Sequence, residues 1–356
     1  MRILLLAVLA ASLTTALALY DADRPGAHPA RIVHPGEDGP SAAVFLEDFP
    51  DDALPEGIGH DGQQFYAIAR QPMHLDEVAP DLDRPRYRLQ RMAYPLLVWA
   101  LHPQGGGEGL ITATVVVGFA ALVAGGVATG VLSTQLGGPP ALALVFPLLP
   151  GAFMTMRIST ADTLALAAGL GAIALSLAGR HRWAVASGVL AVLAKESTWL
   201  LLLGVALWRR DRRGIVLAAV PAIAAGSWWA ALHLLVDDTS EGVTEFTLPF
   251  VGLWDSVQYW LDGNTAFAHV VVPLAFVIGL WAIVRVGIRH PLGPAIALQL
   301  AFLPLLNLNV LGLDANGSRM TMPLTILAVI ALVAWFRTGG AEATTAADRE
   351  PSHDLA

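Results

Sequence analysis

Two polar stretches near the N-terminus hold residue types that suit group-transfer chemistry. The first is Gly59-His60-Asp61-Gly62-Gln63-Gln64-Phe65-Tyr66-Ala67-Ile68-Ala69-Arg70, an acid beside a glycine that opens onto aromatic and aliphatic residues. An aspartate with an ordinary pKa of about 3.9 is ionised at neutral pH and can accept a hydroxyl proton without special tuning. Gly62 lets the chain turn closely beside Asp61. With Phe65, Tyr66 and Ile68 buried, the stretch can lie flat in a membrane interface and hold Asp61 near the surface. The second is Arg84-Pro85-Arg86-Tyr87-Arg88-Leu89-Gln90-Arg91-Met92-Ala93-Tyr94-Pro95-Leu96-Leu97, with four arginines directly before an apolar descent. Arg88 and Arg91 are three residues apart and share one helix face. Guanidinium forks match phosphate oxygens, so the patch suits a lipid-borne phosphate; headgroup anchoring and pairing with Asp81 and Asp83 is the alternative.

Three further polar points interrupt otherwise apolar sequence: Arg157 with Asp162, Lys195 with Glu196, and Asp314 with Arg319. Lys195 is the only lysine, and it lies with Glu196 inside an apolar run. A charge near the bilayer centre costs roughly 3 kcal/mol on insertion scales and usually marks function. For Asp162 the competing role is an acid at a helix N-terminus, and for Arg319 a snorkelling interfacial arginine. The histidines lack metal-ligand spacing, which argues against a zinc site. Lys195 follows no glycine-rich loop, no nucleophile-elbow serine occurs, and the absence of cysteine excludes disulfides and thiol nucleophiles. Gly105-Gly106-Gly107-Glu108-Gly109 follows no strand and reads as a flexible connector.

Positioning these residues falls to membrane helices. Of 356 residues, 55% are hydrophobic and 14% charged, and the mean hydropathy is +0.59. Apolar runs of span length recur up to Phe336, which fits an all-α polytopic bundle. The first run, 4 to 20, reads as an anchor, with a cleaved signal peptide as the alternative. Further spans are expected over 109–132, 140–156, 162–178, 214–236, 269–288, 291–312 and 319–336. Gly118, Gly126 and Gly130 suit close helix packing. The stretch 183–208, interrupted by Lys195-Glu196-Ser197, is one span or a hairpin. A single span would carry Arg209, Arg210, Arg212 and Arg213 outside, with Arg285, Arg289 and Arg337 after them; a hairpin keeps all seven in the cytoplasm, as the positive-inside bias requires. The hairpin gives roughly ten crossings with both termini inside. Each arm then spans roughly 16 Å, about half the hydrocarbon core, with the Lys-Glu tip in a protein-lined or water-filled pocket. Residues 21–108 form a large first extracytoplasmic loop, in which fourteen acids and seven arginines fall between Asp21 and Met92. Residues 337–356 read as a disordered cytoplasmic tail.

In its motifs the chain resembles bacterial membrane proteins of cell-surface glycopolymer formation, and through them the GT-C superfamily of polyprenyl-phosphate-sugar-dependent glycosyltransferases. The resemblance rests on Asp61-Gly62-Gln63-x-Phe65-Tyr66 and Arg86-Tyr87-Arg88-x-x-Arg91-x-x-Tyr94-Pro95-Leu96-Leu97 in the outer loop. Weaker support comes from Ser159-Thr160-Ala161-Asp162, Ala194-Lys195-Glu196-Ser197 and Ser318-Arg319-Met320-Thr321-Met322-Pro323. It covers most of residues 1–336. It implies a multi-pass protein of the bacterial plasma membrane whose active face is extracytoplasmic. Its partners would be a lipid-linked sugar donor, a glycan or lipid acceptor and membrane lipids, with no nucleic acid and no cofactor beyond the donor. It makes Asp61 the catalytic base and places Gln64, Tyr66, Arg88, Arg91, Tyr94, Asp162, Lys195, Glu196 and Arg319 on substrate, Lys195 touching the donor phosphate and Glu196 orienting it. Asp21 and Asp23 occupy another position where such enzymes carry their acid. The chain is short for the superfamily and carries no C-terminal extracytoplasmic domain. The other functions this sequence fits are a transporter or flippase of a lipid-linked anionic substrate, and an accessory protein of a glycopolymer assembly.

The arginine distribution generates a first prediction. With no native cysteine to interfere, Asp211→Cys should react with a membrane-impermeant thiol reagent only from the cytoplasmic side. Labelling from outside intact cells would force the single-span reading of 183–208.

Overall fold

The structure is a computed structural model and describes residues 1–22, 29–237 and 244–339. Asp23 and residues 340–356 of the expected tail lie outside them. Among the described residues the protein is helical throughout, without a strand, and one isolated antiparallel bridge joins Phe246 to Leu306. Five helices are long and apolar enough to cross a membrane: Arg2–Ala22, Gly107–Gln135, Arg212–Leu235, Ala268–Val286 and Asp314–Arg337. The pair Pro140–Leu148 and Pro150–Arg157, bent by 50°, makes a sixth if it is one broken span. The bend falls at Leu149, which takes extended backbone because Pro150 disfavours a helical residue before it. These helices make the chain a multi-pass membrane protein.

Close approach between spans is set by small residues. A Cβ on Gly126 would lie 2.9 Å from Ala7, and one on Gly130 would lie 2.8 Å from Ile3, so the first helix packs into the groove those glycines leave.

The stretch 183–208 is broken at Lys195. His181–Ala194 ends there, Lys195 is extended (φ −159°, ψ 119°), and a 3-10 turn over Glu196–Thr198 leads into Trp199–Arg209. A Cβ on Gly188 would lie 3.0 Å from a Leu202 methyl. Fourteen residues of straight helix would separate those positions by roughly 21 Å, so the two arms fold back side by side. At the tip the Lys195 carbonyl, released by the break, accepts from the Thr198 N–H (3.1 Å) and hydroxyl (2.6 Å).

The run expected as a span over 291–312 is also broken. Gly293–Phe302 passes into a 3-10 turn, Leu303–Leu305, extended Leu306 and a single turn, Leu308–Leu311. The carbonyls released near Pro304 are taken by residues 247–250, through Thr247 N–H to Leu305 O (2.8 Å) and Phe250 N–H to Pro304 O (2.8 Å).

Residues 29–101 fold into a cap of short helices whose buried side chains, Phe45, Phe65, Tyr66 and Leu89 among them, are continuous with the core of the bundle. Within Asp61–Arg70, every residue from Gly62 to Ala69 is buried in protein, so this helix does not lie flat in the lipid interface. Gly62 belongs to close packing rather than to a turn: a Cβ there would come within 2.2 Å of Ile158 O and 2.6 Å of Val33 O. That contact seats Asp61 against the C-terminal end of the Pro150–Arg157 helix. Gly105, Gly106 and Gly107 all have positive φ, so the stretch that the sequence reads as a flexible connector uses backbone that favours glycine.

Charge is sorted between the two ends of the bundle. Arg2, Arg180, Arg182, Arg209, Arg210, Arg212, Arg213, Arg285, Arg289 and Arg337 gather at the end where Gly137 meets Thr338, with Asp211 as their acid among the described residues. The cap, Asp162, Lys195 and Arg319 lie at the other.

Candidate functional site

The site is assembled from helix ends and breaks that meet beneath the cap. At its base Asp162, only 6% exposed, opens the Asp162–Leu177 helix. One carboxylate oxygen accepts from the Lys195 ammonium; the other accepts from Thr160 Oγ1 (2.8 Å) and Arg319 Nη1 (3.1 Å). Arg319 is carried one turn into Asp314–Arg337, donates to Thr160 Oγ1 (2.9 Å) and Asn316 Oδ1, and lies 3.6 Å from Asp61 Oδ2. Lys195 also points its ammonium at Met320 Sδ (3.0 Å). One buried carboxylate thus joins the start of a middle span, the break at Lys195 and the last span.

Above it, Arg88 Nη1 sits 2.8 Å from Asp61 Oδ1 and clamps Asp83 through Nε (2.8 Å) and Nη2 (2.7 Å). Gln64 Oε1 accepts from the Asp83 N–H (3.1 Å) and so fixes that clamp. Burial alone would raise the Asp61 carboxyl; Arg88, Arg319 and Arg91 outweigh it and hold the group well below the usual carboxylate range. Asp61 is therefore one-quarter exposed and doubly paired, not the free surface acid with an ordinary pKa that the sequence implies.

Arg91 is held in a bidentate grip by Glu196 (3.2 and 2.8 Å) and donates to the Tyr87 hydroxyl (2.7 Å). The guanidinium groups of Arg84 and Arg91 lie over the Tyr87 ring, at 4.1 and 4.4 Å from its centre. Arg84 reaches across to Glu245 (2.8 Å).

These side chains enclose a cavity of about 300 Å³. Asp61, Arg88, Arg91, Asp162, Lys195, Glu196 and Arg319 all line it, as do Arg84, Tyr87, Asn309 and Asn316. One wall is apolar, built by Phe246, Phe302, Leu306 and Val310. The arrangement suits an amphiphile with an anionic head and an apolar tail. Among the described residues, no cluster of three or more His, Asp or Glu side chains is placed to hold a metal ion.

Three residues expected on substrate lie outside the cavity. Tyr66 is 2% exposed and its hydroxyl donates to Asp48 Oδ2 (2.6 Å). Gln64 is spent on Asp83, and Tyr94 is buried edge-on to Phe65. All three support the cap that carries Asp61 and Arg88. The polar points that are neighbours in sequence take partners elsewhere. Glu196 holds Arg91 and not Lys195; Arg157 pairs with Asp21; Asp314 accepts from the N–H groups of Ala266, Phe267 and Ala268 at the start of Ala268–Val286. Asp21 lines a separate pocket with Arg31, His34 and Arg157. Sequence reasoning gave no role to Tyr87 and Thr160, though both lie in the quoted motifs, and passed over Asn316 and Glu245; Asp83, read there as a partner of the arginines, is one. Tyr87 had a usable signal, arginines three before and four after it on a helical stretch; Glu245 had none, because its partner is 161 residues away.

Compared with family models, curated proteins and solved structures, the chain matches none of them.

The Asp162 node generates the second prediction. Asp162→Asn leaves Lys195 and Arg319 buried against a neutral amide, and breaking such a pair costs about 3–5 kcal/mol. Thr160→Val, which removes one hydroxyl partner, should cost about 1 kcal/mol. Denaturation midpoints in detergent read both. An Asn variant as stable as the parent would mean the carboxylate does not hold these helices together.

Proposed function

We propose that this protein is a GT-C-type glycosyltransferase of the bacterial plasma membrane, moving a sugar from a polyprenyl-phosphate donor to a glycan or lipid acceptor at the extracytoplasmic face. The observation that carries the reading is the convergence of Asp61, Arg88, Arg91, Lys195 and Arg319, drawn from four distant parts of the chain, on one cavity with an apolar wall. The motif resemblance of the outer loop points the same way. In this reading the arginine-rich end faces the cytoplasm, residues 21–108 lie outside, and the chain crosses roughly ten times if the two arms about Lys195 count as short crossings.

The chemistry follows from the residues. The acceptor hydroxyl attacks the anomeric carbon, the bond from that carbon to the phosphate oxygen breaks, and the phosphate leaves with the electron pair. Asp61 takes the hydroxyl proton. Arg88, Arg91, Lys195 and Arg319 stabilise the departing charge, so a second, acid carboxylate of the glycosidase kind is unnecessary. Resting Asp61 is a weak base because two arginines hold it. A donor phosphate that competes for Arg88 and Arg319 frees the carboxylate and raises its basicity when substrate is present. The wall of Phe246, Phe302 and Leu306 offers the donor's tail an apolar surface.

A transporter or flippase of a lipid-linked anionic substrate is a second reading, favoured by the breaks at Leu149, at Lys195 and near Leu306, since interrupted spans mark substrate paths. Detergent micelles have no second compartment, so sugar transfer by the purified protein in micelles separates the two. Transfer is expected there, and Asp61→Asn should lower it about 100-fold or more with donor binding retained. Near-normal turnover in that variant, or a comparable loss only in Asp21→Asn, moves the base away from Asp61. Donor movement across vesicles without transfer in micelles favours the transporter.

A further inference from the structure

A second cavity lies between Gly107–Gln135, Asp162–Leu177 and His181–Ala194, running from mid-bundle toward the arginine-rich end. It measures about 590 Å³, twice the volume of the charged cavity and within the usual range of ligand sites, and its lining is almost wholly apolar. The floor is made of small residues, including Ala128, Ala168, Gly171 and Ala174, which leave a groove between the helices.

Polar groups in it are few, and two are already engaged. Gln135 Nε2 donates to Ala174 O (3.1 Å), and Ser187 Oγ donates to Ala168 O (2.7 Å). The third, Arg180, stands exposed at the mouth and has no acidic partner among the described residues. This sets it apart from Arg88, Arg91 and Arg319, each paired with a carboxylate. Around the mouth the charge is strongly positive: Arg182, Arg209, Arg210, Arg212 and Arg213 lie on the same side, and Asp211 is taken by Arg209 (2.9 Å). An apolar slot ending at an unpaired guanidinium is complementary to one kind of occupant, a chain with an anionic head. In a bilayer that is a phospholipid.

We propose that this groove is a binding site for an anionic phospholipid, one acyl chain lying between the helices and the headgroup phosphate on Arg180. Its physical basis is charge pairing at a basic mouth between membrane helices, added to apolar contact along the groove. It does not rest on the glycosyltransferase reading, and none of its lining residues lines the charged cavity, which makes it a second site.

The test is native mass spectrometry of the full chain in detergent, titrated with palmitoyl-oleoyl phosphatidylglycerol or with phosphatidylcholine of the same chains. Phosphatidylglycerol should be retained more tightly. Arg180→Gln should weaken its binding about tenfold while leaving phosphatidylcholine unchanged, the scale of one charged hydrogen-bond contact. Ala124→Trp, at an exposed position on the groove wall, should abolish retention of both; Val131→Trp on the same wall repeats the block should the first variant fail to fold. Equal affinity for the two lipids overturns the proposal. So does a loss in Arg182→Gln as large as in Arg180→Gln, which would mean diffuse surface charge. Undiminished lipid retention in the blocked variants, or a dimer that those variants dissociate, would show that the groove is empty of lipid or covered by a second copy.

Discussion

Much of this structure depends on one buried carboxylate. Asp162 accepts from Lys195, Arg319 and Thr160 at once, and each partner comes from a different place in the chain. A lone charge in this setting would be too costly to keep, and the cost is offset only when opposite charge and full hydrogen bonding arrive together. Satisfying Asp162 therefore fixes where the chain breaks at Lys195, how the last span approaches and where Arg319 points. Arg319 then lies beside Asp61, so the node also sets the floor on which the cap rests.

Around that node the charges close on one another. Five cations line the cavity, Arg84, Arg88, Arg91, Lys195 and Arg319, against four carboxylates, Asp61, Asp162, Glu196 and Glu245, with Asp83 a further partner of Arg88 behind the wall. The resting site is held by internal ion pairs, and an incoming phosphate must exchange partners with them. Such an exchange costs less than desolvating free cations, because the arginines are already stripped of water and oriented. It also makes Asp61 responsive: the contacts that hold it are the ones a phosphate would draw away.

Periodicity and charge made the helical membrane character legible, because apolar runs of span length have no other stable setting. The break at Lys195 was legible from the Lys-Glu interruption taken with the arginine distribution, which only a hairpin keeps on one side. The break near Leu306 was not read, although Pro304, Asn307 and Asn309 fall on it, because what stabilises it is a pairing with residues 244–250, about 60 positions earlier. The same limit governed the site. Asp61, Arg88, Arg91, Asp162, Lys195, Glu196 and Arg319 were recognisable singly, as charges where charges are expensive. Their partners were not legible, because every ion pair at the cavity except that of Arg88 with Asp83, a pairing the sequence did offer, joins distant segments. Tyr66, Gln64 and Tyr94 were placed on substrate by the motif resemblance, and the structure buries all three in the cap. Amphipathic helices bury one face against whatever apolar surface is present, and here that surface is the cap and bundle, not the lipid.

The most direct test of the central claim is a structure of the protein with a polyprenyl monophosphate. The account predicts the phosphate in the charged cavity, its oxygens about 3 Å from Lys195 and from the guanidinium of Arg88 or Arg319, with Asp61 separated from at least one arginine and the prenyl chain along Phe302 and Leu306. A phosphate bound elsewhere, such as the pocket of Arg31 and Arg157, or a cavity whose ion pairs stay unchanged at saturating ligand, would contradict it.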